Sequence, residues 1–351
     1  ILLKTDEFTD PYWLKKEASL GMYKVDSLQL IGKPETPRSI KIDFNLIIDY
    51  MPITITKNVV FRYAERDQGE IYEPFEILPK ITTKLKDKVL VFSDSIPKII
   101  SVDIKAGASY VSGKVSLKIP ENWGVSPKEI NFNIIQKNDK QTVEFLVTPP
   151  KDESEGKIEV IAISEGVEYN KELIEINYNH IPKQSILSNS EAKVVRLNIQ
   201  KVGNYIGYIK GAGDAVPESL RQIGYTVVEI NPTEINDKNL AKFDAIVLGI
   251  RAYNVVKELK FKQKFLLAYV EKGGNMIVQY NTNRRVDVAA PFTLKLSRDR
   301  VTDEFAEVRI LEEGHSLLNF PNKITDEDFK GWVQERGLYF PDSWSEEYTP
   351  I

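Results

Sequence analysis

Residues 204–251 constrain the fold most strongly, because short apolar runs alternate there with helical and polar segments. The run 205–210 leads into a glycine-rich turn, and apolar residues then recur at helical spacing. Two more apolar runs follow, at 226–230 and 245–249. Short apolar runs separated by helices are typical of βαβ units, in which a parallel sheet is buried on both faces. Ligands bind such sheets at the carboxyl ends of the strands.

Residues 1–85 and 86–178 are predicted to form two all-β domains. In residues 39–63, apolar and polar residues alternate with a period of two, as in strands with one buried face. The second stretch has further alternating segments between turn residues, a pattern typical of an immunoglobulin-like sandwich. Trp123 is predicted to be a buried plug between the sheets, with ligand stacking as the alternative. Residues 179–190 have the composition of a linker.

Composition excludes several classes of function. The net charge of -4 and the absence of a lysine and arginine cluster argue against binding to nucleic acid. No apolar run approaches the roughly 18 residues of a membrane helix. The chain has no cysteine, which excludes thiolate catalysis, disulfides and thiolate zinc sites and is compatible with an exported bacterial protein. It opens at Ile1 in the middle of a pattern, so we expect a mature or truncated chain.

Polar, charged and aromatic side chains cluster where the predicted parallel strands end. Because the carboxyl ends of parallel strands meet at one edge of a sheet, we expect a common rim there. Such a rim suits a carbohydrate or another small polar ligand. The alternative is an ordinary polar loop surface in which Arg251 pairs with Asp214 or Asp299. The predicted rim residues are Lys210, Asp214, Arg251, Tyr253, Asn254, Tyr280, Asn281, Asn283 and Arg284.

Three further features allow more than one interpretation. His315 could serve as a general base or a metal ligand, or could have a structural role in a turn. Glu335 and Arg336 fit either the rim or a buried ion pair. Gly211 and Gly213 follow a strand as in a dinucleotide fingerprint, but the third glycine is missing. An acidic residue at the following helix start would also oppose a phosphate, so a tight strand–helix turn is favoured.

Several segments together resemble a known protein family. They are GYIKGAGDAVP at 207–217, QYNTN at 279–283, SRDRV at 297–301, NFPNKI at 319–324 and WVQERGLYF at 332–340. Over its whole length the chain resembles the C-terminal region of multidomain PIG-L/LmbE-like deacetylases from Bacteroidetes-type bacteria. Within it, residues 86–178 resemble a NEW3-type sandwich. Residues 191–351 resemble a flavodoxin-like domain of the class I glutamine-amidotransferase-like, or ThuA-like, type.

The resemblance implies a multidomain fold, with immunoglobulin-like all-β domains followed by a flavodoxin-like α/β domain that continues past Ile351. Relatives of this kind hold the catalytic zinc on a separate N-terminal domain, with a His-Pro-Asp-Asp motif and a later histidine. That motif is not present here, so we expect no catalytic residue, metal ligand or cofactor in this chain. The amidotransferase nucleophile is a cysteine after a strand, and the chain has none. Amidotransferase activity is therefore not expected.

As to function, the resemblance implies the non-catalytic accessory region of an exported, zinc-dependent N-acetylsugar deacetylase. Such a region would bind glycans or position its own N-terminal catalytic domain. Two alternatives remain open. In one, the last domain is a ThuA-like enzyme acting on a sugar derivative, with His315, Asp214 or Glu335 in acid–base roles. In the other, the chain is a spacer or docks partners in a cell-surface complex, which a large exposed apolar patch would favour.

Overall fold

The chain divides into two compact units that are rich in β-structure. The computed structural model describes residues 7–19, 21–284, 290–331 and 337–351. Unit 1 comprises Ile1–Leu90 and Ser95–Val195, and unit 2 comprises Val91–Asp94 and Arg196–Ile351. Strands account for 40% of the residues and helices for 13%. Among the described residues, no helix has the length and apolar character needed to cross a membrane.

Unit 1 begins with two antiparallel hairpins, preceded by a 3₁₀ turn at Leu28–Leu30. The four strands are β1 (Lys41–Ile48), β2 (Met51–Asn58), β3 (Val60–Glu65) and β4 (Gly69–Pro74). β1 pairs with β2, and β3 pairs with β4. The predicted alternation is present, but the prediction of a buried face is wrong for the first hairpin, in which every residue is exposed. The predicted second strand is also wrong, because it is divided between β2 and β3.

The remaining strands begin in unit 1, and most of them form two larger sheets. They are β5 (Ile81–Leu85), β6 (Val89–Phe92), β7 (Lys98–Ala106), β8 (Val111–Lys118), β9 (Gly124–Ser126), β10 (Glu129–Ile134), β11 (Lys140–Thr148), β12 (Ser154–Ser164), β13 (Val167–Tyr169), β14 (Lys171–Ile176), β15 (Gln184–Asn189) and β16 (Glu191–Arg196). One sheet has the order β10-β8-β12-β16-β6, with β13 beside β12, and another has the order β5-β7-β11-β9. β15 lies inside the predicted linker and pairs with β14.

The core of unit 1 follows from period-two alternation along these strands. β7 buries Val102 and Ile104, and β11 buries Phe145 and Val147, while the residues between them are more exposed. Trp123 is only 7% exposed and its indole N–H donates to the Ser154 hydroxyl at 3.2 Å. The prediction that Trp123 is buried is therefore confirmed. The β-rich character predicted for residues 1–178 is also confirmed.

Unit 2 contains a parallel sheet followed by small antiparallel pairs. Its parallel strands are β17 (Tyr205–Ile209), β18 (Thr226–Glu229), β19 (Ala245–Leu248) and β20 (Asn275–Val278), in the order β18-β17-β19-β20. Its helices are α1 (Val216–Gln222), α2 (Asp237–Leu240), α3 (Ala252–Val255), α4 (Leu259–Glu271) and α5 (Ser316–Asn319), with 3₁₀ turns at Pro232–Glu234 and Asp326–Phe329. The last strands are β21 (Leu294–Leu296), β22 (Arg300–Val301), β23 (Gly337–Leu338) and β24 (Pro341–Trp344), paired β21 with β24 and β22 with β23.

The parallel sheet is the core of unit 2. β17 and β19 lie at its centre and are almost wholly buried, as their continuous apolar sequences require. A large cluster that includes Leu248, Leu266 and Tyr269 packs α4 onto the sheet. A smaller cluster contains Tyr208 and Val247, with α1 residues packed against it.

The predicted flavodoxin-like, amidotransferase-like fold of residues 191–351 is wrong. A doubly wound fold places full helices on both faces of a longer parallel sheet. Here the parallel pairing stops after four strands, and among the described residues only α4 exceeds two turns. The connection from β18 to β19 consists of two single turns rather than one long helix. Asn231 and Asn236 are the N-cap residues of these turns, and the side chain of each accepts a nearby backbone N–H. The chain is mostly β-structure.

Candidate functional site

The ends of β17 and β19 lie in unusually close contact. A Cβ atom on Gly211 would lie 2.1 Å from the carbonyl oxygen of Ile250, and one on Gly249 would lie 2.6 Å from the hydroxyl of Tyr208. Position 211 therefore requires glycine for steric reasons, because the atom in the way belongs to the backbone, whereas a side chain at 249 would displace the Tyr208 phenol. The Ala212 N–H also donates to the Ile250 carbonyl at 2.8 Å. This geometry confirms the prediction of a tight strand–helix turn.

Asp214 is fixed by three hydrogen bonds at this turn. The Tyr208 hydroxyl donates to its carboxylate at 2.6 Å. The backbone N–H groups of Val216 and Ile250 donate to the same carboxylate at 3.0 and 3.1 Å. The carboxylate thus joins the end of β17, the start of α1 and the second residue after β19, and both of its oxygens take part in positioning contacts. The predicted alternative, an ion pair between Asp214 and Arg251, does not occur within the described residues.

The same contacts perturb Tyr208. Burial raises the pKa of the Tyr208 phenol well above its usual range, and the hydrogen bond to Asp214 raises it further. The side-chain amide of Gln279 donates to the phenol oxygen at 3.2 Å and opposes the rise in pKa. Tyr208 is therefore a neutral hydrogen-bond donor that holds Asp214 in place.

Three of the predicted rim residues have structural roles. The Tyr253 hydroxyl donates to Gln263 at 2.6 Å, and its backbone N–H donates to the side-chain oxygen of Asn281 at 3.2 Å. Burial raises the pKa of Tyr253 above the usual tyrosine value. The Asn254 amide exchanges hydrogen bonds with the backbone of Thr282 and donates to the Arg284 carbonyl at 2.7 Å. These side chains position the loop after β20 and are not available to a ligand.

His315 also has a local role. Its Nδ1 accepts the N–H of Leu317 at 3.3 Å, and its backbone carbonyl accepts the amide of Asn319 at 3.0 Å. It is the N-cap residue of α5. The structure thus gives His315 the structural role, rather than the role of general base or metal ligand, among those considered from the sequence. Glu335 and Arg336 lie outside the residues that the structure describes.

Arg251 and Tyr280 are brought together by the backbone. The Arg251 N–H donates to the Tyr280 carbonyl at 2.7 Å, which joins the end of β19 to the end of β20. Arg251 has a φ of 57° and is exposed, and the first residue of α3 follows it. A residue other than glycine costs about 1–2 kcal/mol in this left-handed conformation, because its Cβ atom lies too close to the following carbonyl oxygen. Strain of this kind is concentrated at functional sites.

Tyr339 completes the arrangement and was missed in the sequence. Its ring centroid lies 6.1 Å from that of Tyr280, and its φ of 60° is also left-handed. Burial raises the pKa of Tyr280, Tyr339 adds to the rise, and the charge of Arg251 opposes it. No local pattern could have identified Tyr339, because its contact with Tyr280 depends on a chain segment far along the sequence.

Two further cations follow strands of the same sheet. Lys210 comes directly after β17, and Arg284 lies in the loop after β20; both are exposed. Within the described residues, Lys210, Arg251 and Arg284 form no ion pair with a carboxylate. The side-chain amide of the neighbouring Asn283 donates to the Ser297 carbonyl at 3.1 Å. Its buried side-chain oxygen has no hydrogen-bond partner among the described residues. We call the set Lys210, Arg251, Tyr280, Arg284 and Tyr339 the Tyr280 rim.

The described residues contain no group of three or more histidine, aspartate or glutamate side chains that could hold a metal ion. The accessible chemistry of the Tyr280 rim is instead that of cations beside aromatic rings. Guanidinium groups bind carboxylates through paired hydrogen bonds, and tyrosine rings offer apolar faces.

Comparisons with known proteins do not identify the chain. No family model matches it, and no curated protein sequence matches it. One solved structure with similarity is WR4, a C. elegans member of the MSP family, at 11% identity and a TM-score of 0.21, over 34% of this chain and 99% of that one. Another is a family 123 glycoside hydrolase from Clostridium perfringens, at 10% identity and a TM-score of 0.23, over 56% of this chain and 37% of that one. TM-scores this low define neither fold nor function.

The raised pKa of Tyr208 predicts that the protein loses stability in alkaline solution. The unfolded chain releases this proton at about pH 10, whereas the folded chain retains it to higher pH. The resulting stability is complete below about pH 10 and is lost as the pH rises toward the folded pKa. Chemical denaturation should show that the free energy of unfolding falls less steeply above pH 10 in Tyr208→Phe than in wild type. The exposed Tyr205→Phe should follow wild type; a Tyr208→Phe slope equal to that of wild type would contradict the assignment.

Proposed function

We propose that this chain is a binding module, and that the Tyr280 rim holds an acidic sugar. The observation that carries the proposal is the pair of left-handed residues, Arg251 and Tyr339, each of which contacts Tyr280. Neither residue is glycine, although glycine would adopt this backbone at lower cost. Strain retained at two positions that meet at one tyrosine supports a binding role for the two side chains.

The charge of the rim supports an anionic ligand. Lys210, Arg251 and Arg284 follow three neighbouring strands, while the carboxylate of Asp214 is already occupied. A guanidinium held at a fixed backbone position can form a bidentate pair with a carboxylate, a contact that lysine cannot reproduce. A uronic acid or another sugar with a carboxylate meets this requirement.

The two tyrosines support a sugar over a small inorganic anion. Tyr280 is 39% exposed, and its ring is inclined by 40° to that of Tyr339. Exposed tyrosine rings provide an apolar face for the C–H groups of a sugar and a hydroxyl for its polar edge. A free phosphate or sulfate would use the cations alone.

The wider proposal is that the chain serves as the accessory, non-catalytic part of an exported PIG-L-like N-acetylsugar deacetylase. Its support is the resemblance of segments such as 207–217 and 279–283, the second of which contains Tyr280. The side chains considered for acid–base chemistry, Asp214 and His315, accept backbone N–H groups, which supports binding over catalysis. In this proposal zinc belongs to the N-terminal deacetylase domain.

Substitution of Arg251 tests the binding function directly. Isothermal titration with an oligogalacturonate should show binding to wild type, and Arg251→Ala and Arg251→Gly should each weaken it by at least about tenfold, the effect of one charge-assisted pair. A neutral oligosaccharide of the same length should bind more weakly than the acidic one. Lys238→Ala, which removes an exposed cation on α2, is the matched control and should bind like wild type. Equal affinities in all four proteins would refute the proposal.

The stability of the same variants tests whether Arg251 is kept for folding. Arg251→Gly should raise the free energy of unfolding by up to about 1 kcal/mol, because glycine adopts a positive φ without strain. Arg251→Ala retains the strained backbone and should change stability by less than about 0.5 kcal/mol. Urea denaturation measures both values. A clear loss of stability in Arg251→Gly would show that the guanidinium serves the fold.

A further inference from the structure

We infer that the hairpin of β1 and β2 is an interface that takes a second copy of this chain. The hairpin forms a two-stranded sheet of its own in unit 1. One side of it is apolar, and we call that side the apolar hairpin face. Its residues are Ile42, Phe44, Leu46, Ile48, Met51, Ile53 and Ile55.

The strand register places these residues on one side. Phe44 lies opposite Ile55, Leu46 opposite Ile53, and Ile48 opposite Met51, and directly opposed residues share a face of an antiparallel pair. Alternation along each strand continues the same side to Ile42. The hairpin therefore has a continuous apolar surface.

The other side of the hairpin is polar and internally bonded. Thr54 donates to Asn45 at 2.8 Å, and Thr56 donates to Asp43 at 2.6 Å. These cross-strand hydrogen bonds suit a surface that faces water. The turn at Asp49 and Tyr50 has positive φ at both residues, the type I′ geometry that matches the twist of a two-residue hairpin. The turn geometry thus matches the pairing of the two strands.

The apolar hairpin face is near the upper end of the patch sizes found on soluble monomers, where such patches are often functional. Its seven side chains are 40–66% exposed, and all sixteen residues of the two strands are exposed. Taking about 150 Å² for a fully exposed side chain of this size, the face presents about 500 Å² of apolar surface, near the upper end for a soluble monomer. An isolated two-stranded hairpin is also marginally stable in water. Both facts call for a covering layer.

A second copy meets these requirements. Face-to-face pairing of two such hairpins would bury about 1,000 to 1,400 Å² in total once the rims are included, which reaches the size of specific interfaces. A two-fold axis uses the same patch on both chains, so every apolar side chain meets apolar surface. Lys57, opposite Ile42, is the one cation on this side of the two strands, and no carboxylate lies there. The face therefore has no charge pattern that would favour a strongly charged partner. Two-stranded layers pack face to face like the halves of a sandwich.

Analytical ultracentrifugation across concentrations tests the inference. Wild type should be a dimer that dissociates in about the micromolar range, as expected for a small interface. Leu46→Glu, which puts two carboxylates near the centre of the paired faces, should raise the dissociation constant at least tenfold. The matched control is Ile47→Glu, because Ile47 is 79% exposed on the opposite side of the same strand. It should leave the dimer unchanged.

Cross-linking gives a readout that does not depend on a charged variant. The chain has no cysteine, so Leu46→Cys introduces a single thiol. Under mild oxidation Leu46→Cys should form a disulfide-linked dimer, and Ile47→Cys should form much less of it. A wild-type protein that stays monomeric at all concentrations would overturn the proposal and leave the face to a different protein. A dimer that Leu46→Glu does not weaken would also overturn it, by placing the interface elsewhere.

Discussion

The positions of the strand ends in unit 2 depend on the hydrogen bonds that the carboxylate of Asp214 accepts. It accepts hydrogen bonds from the Tyr208 phenol and from the N–H of Ile250, and so it joins β17 to the end of β19. Glycine at 211 permits this approach because any side chain there would collide with the Ile250 carbonyl. Since Ile250 directly precedes Arg251, the same hydrogen bonds set the position of the left-handed turn. Asp214 thus acts through the placement of a cation rather than through its own charge.

The parts of the fold that depend on local pattern could be predicted from the sequence. Period-two alternation marked the strands around Phe44 and Phe145, and glycine spacing marked the tight turn after β17. The extent of the α/β region could not be predicted, because asparagine-capped single turns replace a full helix between β18 and β19. The exposure of the first hairpin could not be predicted either. An alternating strand has one apolar face whether its own chain or another covers it.

The candidate site shows the same limit. Its position at the strand ends follows from parallel topology, but the role of each side chain depends on loop backbone that local patterns do not specify. Tyr253 and Asn254 are residue types that often contact ligands, yet here both position the loop after β20. Tyr339 lacked any local signal and nevertheless meets Tyr280.

Hydrogen–deuterium exchange with and without an oligogalacturonate is the sharpest test of the proposal that the Tyr280 rim holds an acidic sugar. We predict slower exchange of backbone amides in residues 249–254 and 279–284, because a bound sugar would restrain both loops through Arg251 and Tyr280. A neutral oligosaccharide should give little protection there. Unchanged exchange in both segments at a saturating concentration of the acidic sugar, or protection confined to unit 1, would show that the rim does not hold this ligand.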